Sequence, residues 1–555
     1  MRRNILILVA TSLISALAVG QSAPIQLYQG SKTYERLGSA VAAAGDVNGD
    51  GIPDFLYGAP KADWPSDPGP TKVYVRSGLD GSLLHEFSGA VPGDEYGQSV
   101  ASAGDVNGDG FDDFLVGGGP FTASIPSPRF VELRSGSDGS LLYGYSDPPG
   151  TKLYGEAVAG VGDIDGDGRP DFAIGDPTAF APSDPLCCLG RVDLHSGNDG
   201  SLIYSLQPPS MSLNSRFGSA LTALGDLNLD GFADFAIGAP HADFVGPEAG
   251  SVFIISGVDG STIRRLDGAA SHDRFGRSVA SAGDLDGDGL PDLLVGAPQG
   301  YGPNNQGGYV KAYSGADGAC IRHVFGNRFL LEEFGAAVSG LPDTDGDGIG
   351  DLLVGAPGYE GAVWIISGRD GIVIDRIAGP HLNSGFGGAI ASLGDTDLDG
   401  LAEFAVGSAK ENVGPVFGAG GLRVYRGALR PVLTYDTSTS GHTDLDLAWL
   451  PAGGDPTAVL GDIVGNGATP GGAGLMVISL AKGDYAISGW LPLLVALGSN
   501  LIDAPTFGFD LLGALHLPSI SRVHPAFAGV PVYLQIIEFD PVLASSNGLR
   551  LQLVP

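Results

Sequence analysis

Along this 555-residue chain one acidic spacing recurs seven times: Asp, then Asp or Asn two residues on, Asp two further, Gly next, and a carboxylate three beyond. The first copy holds Asp46, Asn48, Asp50 and Asp54; the second Asp105, Asn107, Asp109 and Asp113; the third Asp163, Asp165, Asp167 and Asp171. The fourth holds Asp226, Asn228, Asp230 and Asp234, and the fifth Asp284, Asp286, Asp288 and Asp292. The sixth holds Asp343, Asp345, Asp347 and Asp351; the seventh holds Asp395, Asp397, Asp399 and Glu403. Side-chain oxygens at alternate positions of a tight loop can wrap a hard cation, and Gly at the sixth position permits the turn. Calcium, which takes about six to eight oxygens, suits the set, so up to seven Ca2+ sites are expected. Good turn formers alone would not require four oxygens at fixed offsets in seven places. The fourth copy departs in having Leu229 between its ligands. The seventh departs in ending on Glu403.

The elements around these loops are not those of an EF-hand, which needs an acidic twelfth residue and flanking helices. Here the twelfth positions are Tyr57, Val116, Ile174, Ile237, Val295, Val354 and Val406. Apolar, β-branched runs follow each loop, which places it in a β-hairpin. Successive copies start 59, 58, 63, 58, 59 and 52 residues apart, a spacing that marks a repeated supersecondary unit. Nine residues ahead of each copy stand Leu37-Gly38, Tyr96-Gly97, Tyr154-Gly155, Phe217-Gly218, Phe275-Gly276, Phe334-Gly335 and Phe386-Gly387. After each copy comes Gly-Ala-Pro, as at Gly58, Gly238, Gly296 and Gly355, or a degraded version, as at Gly117, Gly175 and Gly407. A later Asp-Gly pair, such as Asp80-Gly81 or Asp259-Gly260, signals a second hairpin, giving about four strands per unit.

This order of motifs resembles the FG-GAP repeat of integrin α-subunit propellers and of many secreted bacterial proteins. The resemblance covers residues 31–427 and implies an all-β, seven-bladed β-propeller. The seventh unit lacks an Asp-Gly hairpin after Tyr425, and residues 24–30 read like the fourth strands elsewhere. They are expected to complete the last blade, setting the propeller at residues 24–428 and removing exposed sheet edges.

Residues 429–555 carry few charges, and short apolar runs at 458–464, 475–480, 485–490, 532–539 and 549–554 suggest a small β-sandwich. Residues 1–20, with Arg2, Arg3 and an apolar stretch from Ile5 to Val19, read as a signal peptide, which implies a secreted or cell-surface protein. No later run is long enough to span a membrane. The formal charge of −34 argues against nucleic acid as a partner. Of three cysteines, Cys187 and Cys188 are adjacent and Cys320 is expected to be buried, so metal and ring closure rather than disulfides should carry stability.

Nine histidines are scattered, neither a zincin helix nor a nucleophile elbow occurs, and His241-Ala-Asp243 is the one His/Asp pair of interest. The reading is a calcium-binding adhesion or ligand-binding module for protein or glycan, not an enzyme. Its ligand loops would be 61–70, 241–250 and 301–308. Some proteins with this repeat are enzymes, which keeps open a polysaccharide lyase or hydrolase. A structural envelope or matrix component is the third reading.

Overall fold

The computed structural model describes residues 23–60, 71–91, 94–119, 129–146, 153–181, 184–208, 214–299, 307–326 and 332–427, with short strands beyond. These residues hold no helix, and the chain folds as a seven-bladed β-propeller. The first blade runs Val41–Gly45, Asp54–Ala59, Lys72–Arg76 and Leu83–Ser88, each strand antiparallel to the next. Its second strand is buried at every residue, and the same holds for Asp113–Gly118, Asp171–Asp176, Asp234–Ala239, Asp292–Ala297, Asp351–Ala356 and Glu403–Ser408. These strands are covered on both faces by neighbouring blades, which explains their unbroken apolar runs. The starts of the seven first strands surround a central opening lined by residues such as Ser99, Val158, Ala220, Ala337 and Ala389.

The seventh sheet is completed from far away in sequence. Gln26–Gln29 pairs antiparallel with Gly421–Arg426, with Gln26 opposite Val424 and Gln29 opposite Gly421. Backbone bonds from Ile25 N to Val424 O (2.8 Å) and from Gly30 N to Gly420 O (3.0 Å) extend the ladder.

The aromatic ahead of each acidic loop is a wedge between blades. Phe275 packs with Ala236, Val252 and Ile254 of the fourth blade and Leu293 and Val295 of the fifth. At the closure Leu37 takes this role, joining Phe55 and Tyr57 of the first blade to Ala405, Leu422 and Val424 of the seventh. The glycine that follows each wedge lies against the Gly of the preceding blade's Gly-Ala-Pro. A Cβ on Gly58 would stand 1.8 Å from the Gly97 carbonyl oxygen, one on Gly296 2.1 Å from that of Gly335, and one on Gly407 2.0 Å from that of Gly38. Two sequence motifs some 40 residues apart are thus the two halves of one backbone contact.

An up-and-down sheet puts its first and third connections at one end and its second and fourth at the other. The acidic loops and Asp-Gly hairpins therefore share one end of the propeller, and the segments after Gly-Ala-Pro emerge at the other. In the third blade the segment after Gly175-Asp-Pro forms a small ladder of Phe180–Ala181 with Asp184–Cys188.

One expectation fails. Cys320 opens the outermost strand of the fifth blade, Cys320–Phe325, and is exposed, because alternate residues of an edge strand face solvent. In the C-terminal unit the described pieces are three two-stranded ladders, Val432–Leu433 with Leu447–Ala448, Ala473–Met476 with Val495–Gly498, and Gly508–Phe509 with Leu515–His516. The sandwich expected over 429–555 otherwise lies outside the described residues, as does the signal segment at 1–20. Among the described residues no helix is long and apolar enough to cross a membrane.

Deleting residues 24–30 should remove a few kcal/mol of stability, at about 1 kcal/mol per ladder hydrogen bond. Gly407→Val should do the same by forcing the blade junction apart. Calorimetric melting of both variants checks this; curves that overlay the parent would contradict it.

Candidate metal centre

Each acidic loop is wound around its own first carboxylate. In the first copy, Asp46 Oδ1 accepts the N–H of Gly49 (2.7 Å) and of Asp50 (3.1 Å), and Oδ2 that of Gly51 (2.8 Å). Asn48 Oδ1 accepts from Asp50 N at 2.9 Å, and Asp50 Oδ1 from Ile52 N at 2.8 Å. This lattice of short-range bonds holds the first, third and fifth side chains close together at the surface. In four copies, acidic oxygens from three residues lie within 4.8 Å of one another: Asp163, Asp165 and Asp171; Asp284, Asp286 and Asp292; Asp343, Asp345 and Asp347; Asp395, Asp397 and Asp399. These clusters can hold a metal ion. In the other three copies the middle residue is Asn. Its amide nitrogen points at a carboxylate in two of them, Asn48 to Asp54 (3.2 Å) and Asn107 to Asp109 (3.2 Å). Asn228 points instead to the Ser256 hydroxyl at 3.3 Å.

The ninth residue plays a second part that its spacing did not announce. It opens the buried second strand, and its two oxygens face different ways. Asp54 Oδ2 accepts Val47 N inside the loop (3.0 Å), while Oδ1 accepts Gly78 N at the neighbouring hairpin (3.0 Å). The same pair of bonds forms at Asp113 with Val106 and Gly136, and at Asp171 with Ile164 and Gly197. It recurs at Asp234 with Leu227 and Gly257, Asp292 with Leu285 and Gly315, and Asp351 with Thr344 and Gly368. The carboxylate is therefore a clamp between the two connections at this end of the blade, with its remaining lone pairs free to accept a cation.

Charge accumulates here at a cost. Burial first, then neighbouring loop carboxylates, push Asp54, Asp113, Asp171, Asp292 and Asp351 up to about 6, although backbone donors pull the other way. Asp345 rises to about 7 through burial and the charges of Asp351 and Asp347, and its Oδ2 is buried without a hydrogen-bond partner. A divalent ion would satisfy both the orphaned oxygen and the crowded charge, so the donor set fits a hard cation. The loops also touch around the ring. Asp112 of the second copy accepts Asp46 N at 2.8 Å and donates its own N–H to Asp46 O at 3.0 Å.

Several residues that complete the site were not singled out from sequence. Ser137 donates to Asp109 Oδ2 (2.8 Å), Ser256 to Asp230 Oδ2 (3.4 Å) and Ser314 to Asp288 Oδ2 (3.3 Å). Arg369 reaches Asp347 Oδ2 (3.0 Å), and Arg426 contacts both Asp397 and Asp399. The repeated Ser-Gly before each Asp-Gly hairpin was the available signal. At the opposite end, His241 and Asp243 both lead to Glu248. His241 Nδ1 lies 3.8 Å from Glu248 Oε1, and Asp243 accepts Glu248 N at 2.7 Å.

With this geometry in hand, residues 217–255, 275–313 and 334–366 match the family model of the FG-GAP repeat, and residues 46–116 that of the FG-GAP-like repeat. The chain is 30% identical over 308 residues to integrin alpha-V of Gallus gallus, covering 48% of this chain and 29% of that one. It is 35% identical over 219 residues to integrin alpha-5 of Xenopus laevis, covering 36% and 20%. The chain thus spans under a third of the length of these relatives. Among solved structures, one titled "Crystal structure of BBS1N in complex with ARL6DN, soaked with lead" overlaps at a TM-score of 0.44 and 10% identity, over 73% of this chain and 97% of that one.

The raised carboxylates set a pH dependence for metal-stripped protein. Folded chains hold these protons more tightly than unfolded ones, so the stability they contribute is full below the unfolded value of about 4. It is lost as pH climbs through about 6 to 7. In chelator, the melting temperature should be higher at pH 5.5 than at pH 7.5; a rise over the same interval would contradict the assignment.

Proposed function

We propose that this chain, an FG-GAP repeat protein with an integrin-alpha-like propeller, is an exported or cell-surface binding module whose acidic loops take calcium and whose opposite end takes a protein or glycan. The observation that carries the reading is the division of the propeller into two ends. One end is spent on the seven acidic loops, six of them cross-tied by the ninth carboxylate. The other end presents the connections that differ most in length between blades, which is where recognition on a rigid scaffold is usually placed.

Calcium acts here as a fold element. Without it, three or four carboxyl or amide oxygens crowd each loop; with it, the loops become fixed points that hold first and second strands in register. The metal ligands proposed are the first, third, fifth and ninth residues of the loops. Affinities of the order of ~10⁻⁴–10⁻³ M suit loops that lack a bidentate twelfth Glu. The integrin relatives are named for a whole receptor subunit of which this chain matches a part, so the type of ligand is inferred from the shared repeat and the loop-bearing end. We take residues 24–428 as the binding unit and 429–555 as a separate accessory domain.

Equilibrium dialysis should find several calcium ions per chain, and calcium should raise the melting temperature. Protein without bound ions and with a melting curve indifferent to chelator would reject the reading. Because the two ends are distinct, Asp284→Asn with Asp286→Asn should lower calcium uptake and thermal stability. Binding to a glycan or matrix-protein array, measured well below the melting point, should be unchanged. Turnover of an acidic polysaccharide in the same samples would favour an enzyme instead.

A further inference from the structure

The seventh loop differs from the other six in three linked ways. First, the residue before the hairpin glycine is Ser77, Ser135, Ser196, Ser256, Ser314 or Ser367 in six blades, always buried, and Arg426 in the seventh. Ser256 and Ser314 show what faces this position, since both hydroxyls donate to the fifth carboxylate of their own loop. A long cationic side chain at the same place must enter the carboxylate cluster. Second, Arg426 does so. Its guanidinium contacts Asp397, lies 3.1 Å from Asp399 Oδ2 and stands 3.9 Å from Glu403 Oε1. Third, the ninth residue is Glu403, and its clamp is altered. Both of its hydrogen bonds use Oε2, from Thr396 N (2.7 Å) and Thr396 Oγ1 (2.9 Å), its Oε1 is buried without a hydrogen-bond partner, and the hairpin glycine, Gly427, donates to Ala402 O (3.0 Å) instead.

We infer that Arg426 is a built-in counter-cation of the seventh loop, which therefore closes without a divalent ion. The inference rests on the reading that the other loops take calcium. It is not a general feature of arginines near these loops. Arg369, beside the sixth loop, pairs with Asp347 alone and leaves the Asp351–Gly368 clamp intact. A guanidinium offers donors in a planar fork and cannot lose its charge, so it offsets one charge of the carboxylate cluster at every physiological pH and every calcium concentration. The placement has a consequence for assembly. Arg426 ends the strand Gly421–Arg426, which receives the closing strand Gln26–Gln29. The junction blade would then be ordered before calcium arrives, and the six remaining loops would tighten afterwards.

The test is the number of ions bound by the full chain at saturating calcium, counted by elemental analysis of protein and dialysate after equilibrium dialysis, with melting recorded in chelator. Arg426→Ser combined with Glu403→Asp restores the pattern of the other blades. It should bind one more calcium than the parent, melt lower than the parent in chelator, and regain that loss when calcium is added. Arg426→Lys, which keeps the charge, should keep the parental count. Arg426→Gln, which keeps the length without the charge, serves if the double variant does not fold, and should also melt lower in chelator. A parental count above zero that the double variant leaves unchanged, or an Arg426→Gln curve in chelator identical to the parent's, overturns the inference. A parental count of zero would instead remove the calcium reading on which it stands.

Discussion

The propeller depends on how closely two backbones can approach where one blade meets the next. Gly97 of the second blade lies over Gly58 of the first so tightly that a methyl group on Gly58 would sit 1.8 Å from the Gly97 carbonyl oxygen. No rotamer adjustment relieves a clash with backbone, so the pair must be glycine on both sides. Once it is, the wedge residue beside it is carried into the seam between blades, as with Phe275. The contact is also directional. Each blade offers a glycine on its second strand to one neighbour and a glycine ahead of its first strand to the other. Seven such units close only if the last meets the first, which happens where Gly407 meets Gly38.

The acidic loops solve a different problem. The second strand of every blade is buried throughout, yet it begins with a carboxylate. Burying a charge is costly unless it is hydrogen-bonded and paired. Two backbone N–H donors meet part of that cost at the ninth residue of six blades. They do not meet all of it, as the upward displacement of these groups to about 6 shows. What remains is a site with its geometry fixed and its charge uncompensated. Arg369 reaches one of the loop carboxylates in the sixth blade, and Arg426 contacts two in the seventh.

Much of this was legible in the sequence because the same information is written seven times. A single Asp-x-Asn-x-Asp-Gly would be indistinguishable from an ordinary turn. Repetition at nearly constant spacing, with Phe-Gly before and Gly-Ala-Pro after, fixed the strand count and the blade number. The closing strand was read from the likeness of Ile25-Gln-Leu-Tyr28-Gln-Gly30 to the fourth strands of other units. What was not legible was the division of labour within the loop. Spacing treats the ninth residue as one more ligand. Its burial, and the bond to a glycine some 17 to 26 residues onward, appear only when the third strand folds back beside the loop. Arg426 was hidden for the same reason. It belongs to the strand rather than to the loop motif, and its meaning emerges only when it is aligned with six serines. Cys320 was misread because position in a strand does not say whether that strand is interior or edge.

The separation of the two ends has an evolutionary and mechanical logic that follows from the topology. In a meander of four strands, changes in the second and fourth connections do not reach the loops at the other end. The blade seams are held by glycine-on-glycine backbone contacts and by the wedge side chains beside them. The end reached after Gly-Ala-Pro can therefore vary from blade to blade, as the third blade does with its extra ladder from Phe180 to Cys188, while the acidic end keeps its loop spacing. Uniformity is required there, because adjacent loops bond to one another, as Asp112 does to Asp46, and a loop that lost its shape would disturb its neighbour. On this view the acidic end is the hub on which the other end is free to diversify. Arg426 stands among the carboxylates of the blade that receives the closing strand, Gln26–Gln29.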